Sequence, residues 1–128
     1  VYEGREEFGE AEKLYRRSLA SLLRSVTVDH PQVINTQHNL GLVLAVQNKE
    51  LDAAAVLLQT SLASARRVQG EDSPLVARSL AALAILAERR GQRREAITQL
   101  RAAVDHGFDD PALLIYLKAV TSDPAYRR

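Results

Sequence analysis

The stretch DHPQVINTQHNLGLVLAVQNKELDAAAVLLQTSLASARRVQG occupies residues 29–70, and its pattern returns on both sides with a period of 42 or 43 residues. Its dipeptide His30-Pro31 returns as Ser73-Pro74. A period of this length predicts a stack of helical hairpins, an architecture typical of surfaces that hold other molecules. Small and large apolar residues mark the equivalent positions of the three copies: Ala11, Ala54 and Ala96, and Leu19, Leu62 and Val104.

Proline and glycine divide the chain into helical segments. Proline suits the first turn of a helix and disfavours helix in the residue before it. Asp123-Pro124 predicts one last turn, and no segment shows the alternation of a strand. The predicted fold class is therefore all-α, built of αα-hairpins. Apolar residues at three- and four-residue steps predict helices over residues 6–28, 31–47, 51–68, 74–90, 93–106 and 112–120.

The chain is expected to form one domain over residues 1–128. Residues 1–3 look like the end of a helix whose body is absent, so the first unit is incomplete. The helix over residues 6–28 would then show Leu14, Leu22 and Leu23 to solvent. We expect the chain to be a piece of a longer array or multidomain protein, or to be covered there by another copy. The predicted units are about 1–28, 29–70 and 71–107, followed by a C-terminal cap at 108–128.

Composition argues against several classes of function. The 17 basic and 16 acidic residues give a net charge of +1, so no long-range field favours nucleic acid or a membrane surface. The longest apolar runs fall short of the ~20 residues of a membrane span. The N-terminus is polar and is no signal peptide, which predicts a cytoplasmic protein. With no cysteine there is neither a disulfide framework nor a thiolate zinc site.

Two stretches resemble the tetratricopeptide repeat, in the long form found in kinesin light chains. They are FGEAEKLYRRSL at residues 8–19 and DHPQVINTQHNLGLVLA at residues 29–45. Gly41 and Ala84 fall on the family's small position in the first helix of a hairpin, and Ala54 and Ala96 on that of the second. The resemblance extends to Gly107. It implies a right-handed superhelix of about three repeats that binds a protein or peptide and needs no cofactor.

Two departures from the family pattern stand out. Asn48-Lys49 carries one residue more than the equivalent turn at Gly91-Gln92, and Gln37 stands where the family has a large apolar residue.

The resemblance also implies a groove lined by the first helix of each hairpin. Exposed amides there would bond the backbone of a bound segment, and arginines would hold its carboxylates. Ala81 and Ala82 interrupt the family's amide ladder, so an alternative is that these helices simply pack against neighbouring repeats as a scaffold. The predicted partner-binding residues are Asn35, His38, Asn39, Leu42, Val46, Arg78, Ile85 and Arg89.

No constellation of residues predicts catalysis or a metal site. His30 and His106 fall at helix ends, and neither has a nearby serine and acid in the context of a nucleophile elbow. Asp105-His106 with Asp109-Asp110 is the one acidic cluster with a histidine, and a helix end followed by an N-cap explains it. The arginines at residues 89, 90, 93 and 94 are interpreted as a solvated turn balanced by neighbouring glutamates.

The predicted function is non-catalytic: an adaptor or scaffold that holds a protein partner. The alternative is a spacer or self-association module, a homo-oligomer formed through the first helix. Attachment to an enzyme domain N-terminal to this chain is compatible with either. The sequence does not identify the partner.

Overall fold

The computed structural model describes the backbone of residues 2–122 and the side chains of residues 7–122, except 113, 116, 117, 120 and 121. Over this range it has no strand, and the all-α prediction is confirmed. None of its helices has the length and apolar content to cross a bilayer. The turn expected at Asp123-Pro124 lies outside the described residues. The helices are α1 (Tyr2–Ser25), α2 (Pro31–Val46), α3 (Leu51–Gln69), α4 (Pro74–Arg89), α5 (Arg93–Asp105) and α6 (Pro111–Thr121).

The three helices that start at proline share one kind of N-terminus. The Nδ1 atom of His30 accepts a hydrogen bond from the backbone N–H of Gln32 at 3.1 Å. The Oγ atom of Ser73 accepts one from Leu75 at 3.2 Å, and Oδ1 of Asp110 one from Ala112 at 3.1 Å. Each cap satisfies one of the free N–H groups of a first turn, so α2, α4 and α6 begin where the prolines predict.

The hairpins pack in chain order. The helix α2 packs on α3, α4 packs on α5, and α3 packs on the following α4, while α2 lies beside α4. Close approach within the first hairpin depends on Gly41, because a Cβ atom there would lie 2.8 Å from Cγ of Leu58. The fully buried Ser61 fixes the same contact by donating a hydrogen bond to the carbonyl oxygen of Ile34 at 3.0 Å.

The first helix differs from its prediction at both ends. It runs unbroken from Tyr2 to Ser25, whereas a helix over residues 6–28 preceded by a separate helix end was expected. The glutamates and arginine around Gly4 favour helix, and no proline interrupts them. Leu14 and Leu23 are exposed as predicted, at 60% and 46%, but Leu22 is half-buried.

A buried carboxylate ties α1 to the α2–α3 turn. Glu12 is 8% exposed; it forms ion pairs with Arg16 and Lys49, each at 2.9 Å, and accepts a hydrogen bond from Gln47 at 3.2 Å. The Lys49 hydrogen bond, aided by Arg16 and Gln47, lowers the pKa of Glu12 to about 2. Arg16 also pairs with Glu50 at 2.8 Å. This network joins residues more than thirty positions apart.

The α2–α3 turn has the extra residue that the sequence shows. The segment between α2 and α3 covers residues 47–50, whereas that between α4 and α5 covers residues 90–92. Asn48 and Glu50 accommodate it with φ angles of 56° and 48°, in the left-handed region. Asparagine tolerates that region better than most residues, and Glu50 is held in it beside its ion pair with Arg16.

Candidate functional site

Four predicted binding residues form a line along α2. Asn35, Asn39, Leu42 and Val46 follow one another at steps of four, three and four residues, which keeps them on one side of the helix. Asn35 is exposed and the other three are half-buried. We call these four residues, together with Arg78 of the adjacent α4, the α2–α4 face. Its length along α2 is ~16 Å at the rise of an α-helix.

The polar groups of the α2–α4 face are available. Within the described part of the chain, the side chains of Asn35, Asn39 and Arg78 make no hydrogen bond or ion pair. Arg78 is exposed. The face therefore offers two amides and one cation beside the partly covered apolar surfaces of Leu42 and Val46.

The rest of α4 is not available, and the prediction that Ile85 lines an open groove is wrong. Ile85 is 3% exposed, and Ala81 and Ala82 are each 1% exposed. The cause is that α4 lies among α2, α3 and α5, and its small side chains let these neighbours approach closely. Of the predicted residues on α4, only Arg78 is exposed.

The prediction that His38 lines the groove is also wrong. Its side chain is 4% exposed, and its Nδ1 atom lies 3.3 Å from Oγ of Ser79, which joins α2 to α4 beneath the α2–α4 face. Burial, with a smaller contribution from the nearby charge of Arg78, lowers the pKa of His38 to about 4. The imidazole is therefore neutral at pH 7 and acts as part of the helix–helix contact.

Acid is expected to destabilise the fold through His38. Its ordinary pKa is 6.5 and its pKa in the fold is about 4, so between these values the unfolded chain binds the proton more tightly. The contribution of His38 to the free energy of unfolding is complete above pH 6.5 and falls toward pH 4, by about 2 kcal/mol between pH 7 and pH 5. Urea unfolding at pH 7 and at pH 5 measures this loss. In His38→Gln the loss should be smaller by about 2 kcal/mol.

His106→Gln serves as the control for this titration. The Ala102 carbonyl, followed by Glu71, raises the pKa of His106, so protonation of that residue stabilises the fold below its raised pKa. Removing it should leave the acid loss from His38 in place. Equal losses in wild type and His38→Gln would contradict the assignment.

Arg89 has a structural partner that the sequence did not indicate. Its Nη2 atom donates a hydrogen bond to the carbonyl oxygen of Val46 at 3.2 Å, at the end of α2. This bond satisfies one of the free carbonyls of a helix C-terminus. Its Nε atom is buried and makes no hydrogen bond within the described residues. Arg89 thus ties α4 to α2, and its role in binding a carboxylate stays a prediction.

Sequence reasoning did not single out one exposed residue that occupies the same position in its helix as Asn35 and Arg78. Ile115 stands four positions after Pro111, as Asn35 does after Pro31 and Arg78 after Pro74, and it is 69% exposed. The spacing from proline could have revealed it, but this segment was interpreted only as a cap.

A pocket of about 790 Å³ opens beside Arg78. It lies between the start of α4 and the loop that leads into α6, and Ala77 and the largely buried Phe108 form part of its apolar wall. Asp72 and Asp109 stand at the same pocket. A side chain from a segment bound at Arg78 could enter this space.

Two of the four arginines at the α4–α5 turn bond to neighbouring helices. Arg90 pairs with Asp52 of α3 at 2.5 Å, and Arg89 bonds to α2 as described. Arg94, with Arg90, lines an open pocket of about 700 Å³ between α3 and α5. At the other end of α5, His106 bonds to the Ala102 carbonyl and to Glu71, and Asp110 caps α6.

Comparison with known proteins identifies the repeat. The tetratricopeptide repeat model matches residues 44–106, from the last turn of α2 to the residue after α5. No curated protein matches the chain. Repeats of this family mediate protein–protein interaction and are not catalytic. The matched residues, just under half of the chain, pack as antiparallel helical hairpins in which small residues sit at the crossings, and this segment is a run of tetratricopeptide repeats.

Proposed function

We propose that this chain is an adaptor that holds an extended segment of a partner protein on the α2–α4 face. The observation that carries the proposal is the row of unpartnered polar groups, Asn35, Asn39 and Arg78, beside the half-buried Leu42 and Val46. The two amides have no protein partner and lie at the surface next to apolar side chains. This combination suits a peptide, whose backbone can bond to the amides while its apolar side chains contact Leu42 and Val46.

Spacing favours an extended segment. Asn35 and Asn39 are four residues apart on α2, which is ~6 Å along the helix axis. In an extended chain, alternate residues are ~6.6 Å apart and present their backbone groups to the same side. Each amide can therefore donate to a carbonyl and accept from an N–H of alternate residues. Leu42 and Val46 then lie further along the same line, where they contact apolar side chains.

Arg78 indicates that the proposed partner carries an acidic residue. The guanidinium is exposed and has no ion pair within the described residues, so a carboxylate at this point would gain a charge-assisted hydrogen bond. The neighbouring pocket beside Phe108 would receive an adjacent apolar side chain. The proposed ligand is therefore an extended segment that carries an acidic residue next to an apolar one.

Affinity capture tests the proposal. Wild type and the pair Asn39→Ala with Arg78→Glu are used to capture proteins from a lysate of the parent organism, followed by mass spectrometry. We expect at least one protein held by wild type and lost, by tenfold or more, with the pair, since each change removes about 1 to 2 kcal/mol of binding.

The matched control is Gln59→Ala with Arg94→Glu, which makes the same chemical changes on α3 and α5. Both residues are exposed and lie at the other pocket, between α3 and α5. Capture should survive in the control pair. Equal capture by wild type and the α2–α4 pair, with both folded by circular dichroism, would overturn the proposal.

A further inference from the structure

The exposed side of α1 carries a row of charged and polar side chains around one leucine. Residues 7, 10, 14, 17, 21 and 24 recur at alternating steps of three and four, the spacing of a two-helix seam. All six side chains are exposed, and Leu14 is 60% exposed. We call this row the α1 seam. It consists of Glu7, Glu10, Leu14, Arg17, Ser21 and Arg24.

The side chains of the α1 seam are exposed, and two of them, Arg17 and Ser21, line a pocket together with Gln32 of α2. The helix packs on α2 through other residues, among them Tyr15 and Leu19, which join the core cluster. Within the described residues, Glu7, Arg17 and Arg24 make no ion pair, and Glu10 pairs only with its neighbour Lys13 at 3.5 Å. The charges of the seam are therefore free to pair with a second helix.

The next repeat shows that one edge of this surface, at Ser18 and Ser21, can be covered by another helix. One period later, α3 occupies the equivalent place. Ser61 and Ser64 of α3 are buried, with 0% and 2% of their surface exposed, whereas their counterparts on α1, Ser18 and Ser21, are exposed. In α3 it is α2 that covers this edge, and Ser61 bonds to its backbone, whereas the α3 counterparts of Glu7, Glu10, Arg17 and Arg24, at positions 50, 53, 60 and 67, are exposed.

The order of charges along the α1 seam indicates what covers it. The acidic residues Glu7 and Glu10 come first, Leu14 is central, and the basic residues Arg17 and Arg24 come last. A second copy running antiparallel brings the acidic half of each helix against the basic half of the other. A parallel copy would place like charges together, which is unfavourable.

We propose that two copies of this chain associate through the α1 seam as an antiparallel pair with two-fold symmetry. In the register that the charges favour, Glu7 of one copy faces Arg24 of the second, and Glu10 faces Ser21, between the second copy's Arg17 and Arg24. Leu14 packs against the aliphatic part of Arg17. The axis passes between Tyr15 and Arg16, and each contact occurs twice. This surface is separate from the α2–α4 face and does not depend on it.

Sedimentation equilibrium tests the association. At ~50 mM salt and protein concentrations up to ~1 mM, wild type is expected to approach twice the 14.1 kDa mass of one chain, and to return toward that mass at ~1 M salt, where exposed charges are screened. Leu14→Glu should be monomeric. Val56→Glu is the matched control: Val56 is 65% exposed on α3, outside the seam, and should associate like wild type.

A charge exchange distinguishes this register from other contacts. Arg17→Glu with Arg24→Glu should be monomeric, and so should Glu7→Arg with Glu10→Arg, while an equimolar mixture of the two variants should recover the dimer mass. Circular dichroism checks that both are folded. A wild type that stays monomeric throughout, a dimer that survives Leu14→Glu, or a mixture that stays monomeric would each overturn the proposal.

Discussion

Replacing Gly41 by valine is expected to lower the free energy of unfolding by about 3 kcal/mol, because two helices meet at this residue. The β-carbon would lie 2.8 Å from Cγ of Leu58 and 3.3 Å from the carbonyl oxygen of Ala54. The side chain of Leu58 is fully buried, and the oxygen belongs to the backbone of α3, so neither can yield freely. Urea unfolding followed by circular dichroism measures the loss.

Leu58→Ala should act on the same contact from the other side. Deleting this fully buried side chain should cost about 3 kcal/mol through lost burial and the cavity left behind. In the double variant, the valine at position 41 occupies part of that cavity, so the combined loss should fall short of the sum by about 1 kcal/mol or more. Strict additivity would contradict the contact.

Gly9→Ala is the control for the glycine substitution. Gly9 lies inside α1 with no atom within 4 Å of the position of a β-carbon, so alanine meets no clash there. The change should raise the free energy of unfolding by about 0.5 to 1 kcal/mol, since alanine favours helix over glycine. The opposite signs at positions 9 and 41 separate helix propensity from packing.

Glu12→Ala is expected to lower the free energy of unfolding by about 2 to 3 kcal/mol, since it removes a largely buried carboxylate with three partners. Lys49 and Gln47 would lose the group that holds the α2–α3 turn against α1. Glu10→Ala is the control, because the Glu10–Lys13 pair is exposed and its loss should change stability by less than ~0.5 kcal/mol.

The low pKa of Glu12 predicts that its contribution to the stability of the fold depends on pH. Its ordinary pKa is 4.5 and its pKa in the fold is about 2, so the folded chain keeps the ionised form when the unfolded chain has bound a proton. The contribution is complete above pH 4.5 and is lost as the pH falls toward 2. The stabilities of wild type and Glu12→Ala should therefore converge over this range, and a constant gap between them would contradict the network.

Helix positions could be predicted from the sequence because their determinants are local. Pro31, Pro74 and Pro111 set the starts of three helices, and the residue before each supplies the cap. The start of α1 was misplaced because residues 1–3 were interpreted as the end of a separate helix, whereas the chain stays helical through Gly4. A glycine inside a helix costs only ~1 kcal/mol, which the neighbouring helix-forming residues offset.

The binding face could be predicted only in part. The family resemblance assigned Asn35, Asn39, Leu42 and Val46 to a binding face; in the structure they lie along one side of α2, and their role in binding stays a prediction. Whether a side of a helix is open depends on its neighbours, which the pattern of a single helix does not contain. His38 and the middle of α4 were therefore assigned to a surface, although α2 and α4 bury them against each other.

Contacts between residues distant in the chain could not be predicted from the sequence pattern. The partners Lys49 and Gln47 of Glu12 lie more than thirty residues away, and neither composition nor period indicates them. Gln37 was recognised as unusual at an apolar position. In the structure it is buried, and its Oε1 atom accepts no hydrogen bond from the described residues. The structure gives no physical reason for a polar residue there.

The most direct test of the adaptor function is selection from a random peptide library of about twelve residues per member on the immobilised chain. We expect enriched peptides to carry an acidic residue beside an apolar one, to bind wild type and the Arg94→Glu control alike, and to lose tenfold or more in affinity with Arg78→Glu or Asn39→Ala. Enriched peptides without an acidic residue, or ones that bind both α2–α4 variants as tightly as wild type, would contradict the proposed binding face.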